Sequence, residues 1–206
     1  MKIGKFNTKE ILKLQVKQHS NPKKRFLTVK RKNLRSRDIS FIKKFFIKSK
    51  SILSIGSRED SEVQHFINEG YKSVGIDISN ETKLIKKCDA HNLDKFFKNR
   101  KFDIVYASHV LEHMIDPNKV MKNIRNISKE GIVILLPLSP KGPRKKHPAI
   151  FEIMRVKEDK DIFIHPLQHK NVWNDFKIFE PYNILYCEYR DGINEREVLI
   201  CLKFNK

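Results

Sequence analysis

The chain has 206 residues, 39% of them hydrophobic, with 43 Lys and Arg against 24 Asp and Glu and a formal net charge of +19. That length fits one domain with room for an appendage, and the apolar fraction suffices for one core. No apolar run approaches the roughly 18 residues a membrane span needs, and the basic start is not followed by the apolar stretch of a secretory signal. Cys88, Cys187 and Cys201 form no CxxC pair and leave one odd, so they read as free thiols of a reducing, cytoplasmic compartment.

The charge is unevenly placed. Residues 1–50 carry 17 Lys and Arg against only Glu10 and Asp38, a net +15, whereas the other 156 residues carry 26 against 22. An arm of that kind suits a polyanion such as RNA, DNA or an anionic membrane surface, or it is simply a solvated lysine-rich extension. The expected division is a basic N-terminal arm over 1–37, with a short helix capped by Thr8, and a folded domain over 38–206. Residues 20–37 read as a basic linker. Residues 38–48 place Ile39, Ile42, Phe45 and Phe46 at helical spacing, a stripe that either packs on the sheet or lies on a membrane surface.

From residue 51 the pattern alternates between strand and helix. Ser51–Gly56 reads as a strand, Glu59–Asn68 as a helix stopped at Gly70, and Lys72–Asp77 as a second strand. Leu84–Cys88 is a short strand, Leu93–Phe97 a helical turn, and Phe102–Ser108 a fourth strand. Pro117 opens a helix to Ile127, and Gly131–Leu138 is apolar on both faces, as a central parallel strand is. Residues 139–148 form a basic loop rich in Pro, and 149–180 mix helix and loop. Tyr182–Tyr189 and Glu197–Phe204 read as an antiparallel hairpin turning near Asp191-Gly192. Such alternation predicts an α/β fold with a doubly wound sheet.

The first strand runs into a glycine turn and a helix, and the next strand ends in an acid 21 residues after Gly56. That is the layout of a nucleotide-binding βαβ unit. Asp77 at that strand end can accept two hydrogen bonds from a ribose diol, or it can cap the turn through Ser79 and Asn80.

With Cys88-Asp89-Ala90, the strand Phe102–Tyr106 and the segment His109-Val-Leu-Glu-His113-Met-Ile-Asp-Pro117, the chain resembles class I S-adenosylmethionine-dependent methyltransferases. It looks like their small-molecule branch, with its HVLEHxxDP segment. The likeness covers about residues 50–138. It implies a mostly parallel seven-stranded Rossmann-like sheet with an antiparallel C-terminal hairpin strand. It also implies S-adenosylmethionine as cofactor, bound by Gly56 and Ser57 at the first turn and by Asp77 and Ile78 at the ribose. Asp89 and Ala90 would meet the adenine, although Asp89 can equally cap the following turn. Ser108 and His109 would face the methionine and methyl, with Leu111 beneath. His109, Glu112 and His113 are the catalytic candidates: a His beside a Glu can act as general base, or the three can hold the loop. The glycine motif departs from the family, with one glycine and with Ser54 where an acid is usual.

No P-loop, nucleophile elbow or GxGxxG dehydrogenase turn is present. His165 and His169 have metal-ligand spacing, but Pro166 lies between them and no Cys or acid cluster accompanies them, so no metal is expected. Residues 139–173, with Arg144, Lys145, Lys146, His147, His165 and Trp173, are expected to cover the mouth of the site and to suit an anionic acceptor. Three functions fit. One is a methyltransferase of unidentified substrate. Another is an inactive methyltransferase-like scaffold that uses its basic arm on nucleic acid. The last is an active RNA methyltransferase, although no Asn-Pro-Pro-Tyr segment follows the fourth strand.

Overall fold

The computed structural model describes residues 29–111, 114, 116–140, 182–191 and 195–204. The elements in chain order are α1 (Val29–Phe45), β1 (Ser51–Ile55), α2 (Asp60–Asn68), β2 (Lys72–Asp77) and β3 (Ile85–Lys87). A 3-10 turn (Ala90–Asn92) and α3 (Leu93–Phe97) follow, then β4 (Phe102–Ser108), α4 (Pro117–Ile127), β5 (Ser128–Pro140), β6 (Tyr182–Asp191) and β7 (Glu195–Phe204).

The strands form one seven-stranded sheet in the order β3-β2-β1-β4-β5-β7-β6. The first five are mutually parallel, and β7 inserts antiparallel between β5 and β6. The expected doubly wound sheet with its antiparallel C-terminal strand is therefore present. The strand order reverses between β1 and β4, which places the switch point of the sheet, and its ligand crevice, at the carboxyl ends of those two strands.

Each face buries its own cluster. Leu53, Ile55, Ile76, Val105, Ala107, Ile132 and Ile134 pack against Leu93 and against Val120 and Ile124 of α4. On the other face, Ile52, Ile104, Tyr106, Val133, Leu199 and Cys201 pack against Ile39, Ile42 and Phe46. The period-two alternation of each strand divides the two sets. Ile39 and Ile42 are thus core residues, so the apolar stripe of α1 packs on the sheet and is not left for a membrane. Among the described residues no helix is long and apolar enough to cross a membrane.

Two sequence expectations change. Helix α1 begins at Val29, so residues 29–37, read as basic linker, are helical. Arg35 pairs with Glu62 of α2, and Arg37 with Glu188 of β6, which supplies partners that the local sequence does not reveal. Strand β5 starts at Ser128, directly after α4, and extends to Pro140. The Ser128 hydroxyl donates to the Gly131 carbonyl at 2.7 Å and replaces a linking loop with a tight entry into the strand. The helix expected after Thr8 and the elements expected over 149–180 lie outside the described residues.

Candidate active site

The carboxyl ends of β1, β2 and β4 converge on Gly56, Asp77 and His109. Gly56 has φ +76°, a conformation that favours glycine, and a Cβ placed there would lie 2.7 Å from Cγ2 of Val110. The amides of Gly56 and Ser57 both donate to the Ile76 carbonyl, at 2.8 and 3.0 Å. Ser57 is buried, and its hydroxyl lies 3.2 Å from Glu62. The Ser57 amide and hydroxyl are therefore both engaged within the protein.

The strand acid missing at Ser54 has a neighbour that supplies the charge. The Ser54 hydroxyl donates to Oε1 of Glu62 at 2.5 Å, and Arg35 Nη2 approaches the other carboxylate oxygen at 3.4 Å. A carboxylate thus stands beside the first strand, but it comes from α2. Asn80 Nδ2 donates to the Arg58 carbonyl at 3.1 Å and ties the loop after β2 to the loop after β1.

Asp77 is buried, and it uses one oxygen. Its Oδ1 accepts from the Ser79 amide at 2.8 Å, the Ser79 hydroxyl at 2.7 Å and the Asn80 amide at 3.0 Å. Among the described residues nothing bonds Oδ2. The turn-capping role is therefore real, and it also fixes the carboxylate with one oxygen unused. Ile78 beside it is half-buried.

Asp89 follows the same plan. Its Oδ1 accepts from the His91 amide at 2.9 Å and faces His91 Nδ1 at 2.7 Å. Burial raises the Asp89 carboxyl, but the His91 bonds outweigh that and hold it below its ordinary value. His91 Nε2 in turn accepts from the Asp116 amide at 3.2 Å, and Asn123 Nδ2 donates to the His91 carbonyl at 2.8 Å. His91, not expected as a site residue, thus braces the Asp89-Ala90 turn against the start of α4. Ala90 and Leu111 are buried in the core cluster on that face. Asp116 caps α4 by accepting from the Lys119 amide at 2.9 Å.

At the end of β4, Ser108 is half-buried and pairs with Leu135 of β5. His109 has φ +50°, rare for a non-glycine residue, and its amide donates to the Leu135 carbonyl at 3.0 Å. Its Nε2 lies 2.7 Å from Oε2 of Glu197 in β7. The other Glu197 oxygen accepts from Nε of Arg190 in β6 at 2.7 Å. Arg190 Nη1 stands 2.6 Å from Oδ1 of Asp38 in α1, a close ion pair off the hydrogen-bond line, while Tyr106 donates to Asp38 Oδ2 at 2.7 Å. Burial pushes Asp38 up to about 6, against the pull of Arg190 and Tyr106. Burial also raises Glu197, but His109 and Arg190 outweigh it and hold the carboxyl low, so Glu197 is ionised.

Glu112 and His113 lie outside the described residues, as does the basic 141–173 stretch expected over the mouth. Sequence reading missed Asp38, Glu62, Arg190 and Glu197. A signal existed for Glu197: in β7 it shares strand parity with Leu199 and Cys201, both buried on the α1 face.

Several solved structures of similar fold are methyltransferases. The N-methyltransferase NodS from Bradyrhizobium japonicum WM9, in complex with S-adenosylhomocysteine, is 12% identical; the match covers 98% of this chain and all of that one, with a TM-score of 0.63. The 1,6-didemethyltoxoflavin-N1-methyltransferase of Burkholderia thailandensis is 9% identical over 100% of this chain and 94% of its own, with a TM-score of 0.66. A SAM-dependent methyltransferase from Archaeoglobus fulgidus is 15% identical over 84% and 94%, with a TM-score of 0.56. At such identities the likeness is one of fold. Among curated proteins none matches in sequence. The family described as methyltransferase domain matches residues 28–149, more than half the chain and all of the sheet from β1 through β5. The chain belongs to the methyltransferase-domain family.

Proposed function

We propose that the chain transfers a methyl group from S-adenosylmethionine to an acceptor held at the carboxyl edge of β4 and β5. The observation that carries this reading is Asp77. Three donors fix its Oδ1 at the end of β2, and its Oδ2 has no partner among the described residues. An oriented carboxylate oxygen at that position suits a ribose hydroxyl. Ile78 would line the same subsite. Asp89, fixed through Oδ1 by His91, has its Oδ2 left for the adenine amino group, with Ala90 beside it. Gly56 would leave the backbone open to the cofactor, while Ser57 would act by closing the turn. Ser108 and His109 would flank the methionine and the methyl, with Leu111 as apolar floor and Glu112 and His113 in the same segment.

The cofactor supplies an electrophilic methyl on a sulfonium. The protein has to bind, orient and exclude water, and proximity gives most of the acceleration. Calorimetric titration with S-adenosylmethionine and S-adenosylhomocysteine tests the reading, with micromolar binding expected. One observation favours the scaffold reading: the Gly56 and Ser57 amides are both taken by the Ile76 carbonyl. Absence of binding at millimolar ligand would decide for it.

The basic N-terminal segment belongs to the proposal as a contact for a polyanion, RNA first. Arg35, Arg37 and Lys43 are already paired with Glu62, Glu188 and Glu69, so this contact falls to the cations ahead of Arg35 and to the exposed Lys44, Lys48 and Lys50. Removing residues 1–28 should weaken RNA binding and flatten its salt dependence. An unchanged slope would exclude the segment.

A further inference from the structure

Beyond residue 50 the chain is nearly balanced, with 26 Lys and Arg against 22 Asp and Glu, but the fold sorts those charges to opposite edges of the sheet. Asp60, Asp77, Asp89 and Asp116 stand at the carboxyl edge, around the cofactor crevice. At the amino edge each of five neighbouring strands brings one lysine. Lys72 opens β2, Lys50 precedes β1, Lys101 precedes β4, Lys129 is second in β5, and Lys203 lies near the end of antiparallel β7. The register sets them side by side. The Lys72 amide donates to the Lys50 carbonyl at 2.8 Å, Ile52 pairs with Ile104, Phe102 with Ser128, and Gly131 with Lys203. Neighbouring strands lie about 4.8 Å apart, so the row runs for about 19 Å. All five lysines are exposed.

The acids at this edge do not neutralise the row. Asp103 is tied inward: its Oδ2 accepts from the Lys50 and Ser51 amides and the Ser51 hydroxyl, and its Oδ1 meets Lys129 Nζ at 3.2 Å. Glu69 is held by Lys43, and Glu130 is half-buried. Among the described residues Lys50, Lys72, Lys101 and Lys203 have no carboxylate partner. The exposed Lys48, Lys98 and Arg100 widen the same field. A solvated surface mixes its signs, whereas a single-sign edge carries self-repulsion and draws a polyanion to it. Shape selects the polyanion. The row is linear, like a phosphodiester strand. The exposed Ile47 follows α1 and Phe96 belongs to α3, on opposite faces of the sheet, so they form no joint apolar patch for a bilayer.

We infer that the amino edge of the sheet is a docking surface for the phosphate backbone of single-stranded RNA, held by Lys72, Lys50, Lys101, Lys129 and Lys203 without reading its bases. The class of partner rests on the RNA contact proposed above, but the place is new, since four of the five lysines lie beyond residue 50. The five residues of β1 separate the row from the crevice by about 16 Å. The stretch of RNA on the row is therefore an anchor and not the methyl acceptor, and the crevice stays open while RNA is bound.

The test measures the anisotropy of a labelled oligouridine strand against salt, using the full chain. The row variant combines Lys50→Gln, Lys72→Gln, Lys101→Gln and Lys203→Gln. The control combines Lys83→Gln, Lys86→Gln, Lys119→Gln and Lys122→Gln, exposed lysines away from that edge, and has the same net charge. The row variant should bind about tenfold or more weakly, with a salt slope lower by about 2 to 3, while the control stays near wild type. Two double variants, Lys50→Gln with Lys203→Gln and Lys72→Gln with Lys101→Gln, should each show about half that change in slope, and they serve if the fourfold variant does not fold. Equal losses in row variant and control would reduce the effect to net charge and overturn the inference. So would a row variant that binds oligouridine like wild type but no longer binds phosphatidylserine vesicles, which would make the edge a membrane surface. Deleting residues 1–28 separates the two RNA claims. Binding lost on deletion but intact in the row variant leaves the N-terminal segment as the contact and overturns the row; the reverse supports the row and removes the segment. S-adenosylhomocysteine should bind with equal affinity with and without saturating oligouridine, and competition between them would contradict the separation of row and crevice.

Discussion

The Ser54 hydroxyl donates to Glu62 Oε1, joining the fourth residue of β1 to the first turn of α2. Where the family has an acid on the strand, this chain has a hydroxyl on the strand and an acid on the helix. The two solutions exclude each other, because both would place a carboxylate in one buried space. Restoring the strand acid by Ser54→Asp should therefore destabilise the fold by about 3 kcal/mol, the scale of an uncompensated buried charge. Adding Glu62→Gln should recover more than half of that loss. Urea denaturation of the two single variants and the double variant reads the coupling directly, and additive effects would show that the residues do not share the space.

Asp77 has separable duties. Asp77→Asn keeps an oxygen for Ser79 and Asn80 and exchanges only the outer oxygen for an amide donor. Its melting temperature should stay near the wild-type value while affinity for S-adenosylhomocysteine falls by tenfold or more, about 1.4 kcal/mol. Asp77→Ala should lose stability as well, since three donors lose their acceptor. Unchanged affinity in the asparagine variant removes Asp77 from the ribose subsite.

Gly56→Ala should meet two obstacles. The backbone sits at φ +76°, and the new methyl would press on Val110. A cost of about 1–3 kcal/mol is expected. Pairing it with Val110→Ala relieves the contact but not the backbone conformation, so rescue in denaturation experiments should be partial. Full rescue would mean that the left-handed conformation carries no cost here.

Asp103 contributes to the acid side of stability from the opposite edge of the sheet. Burial raises its carboxyl, but bonds from the Lys50 amide, Ser51 and Lys129 outweigh this and hold it below its ordinary value of 3.8. A carboxyl lowered in the folded state binds fewer protons there than in the unfolded chain near that value. Its stabilisation is thus fully present above about 3.8 and is lost as pH falls through the lower folded value. Asp103→Asn should therefore be less stable than wild type at neutral pH, with a difference that shrinks in acid. A difference constant with pH would contradict the assignment.

The sheet was legible in the sequence because its strands are apolar runs punctuated at Gly56, Gly70 and Pro117, signals that depend only on neighbours along the chain. Asp77 and Asp89 were legible as strand-end acids, with both their capping and their binding readings. The polar chain from Tyr106 through Asp38, Arg190 and Glu197 to His109 was not. Asp38 meets Arg190 and His109 meets Glu197 only once β7 has inserted between β5 and β6, and no local pattern announces that pairing. The start of α1 was missed for the same reason. Its cations read as a solvated run until Glu62 and Glu188 are brought to them by the fold.

The most direct test of the account is the map of backbone amide shifts in the labelled chain on titration with S-adenosylhomocysteine. The account predicts saturable changes clustered at Gly56, Asp77, Ile78, Asp89, Ala90, Ser108 and His109, along the carboxyl ends of β1 to β4. Changes confined to the opposite edge, around Lys50, Lys72 and Asp103, or no change at millimolar ligand, would contradict it.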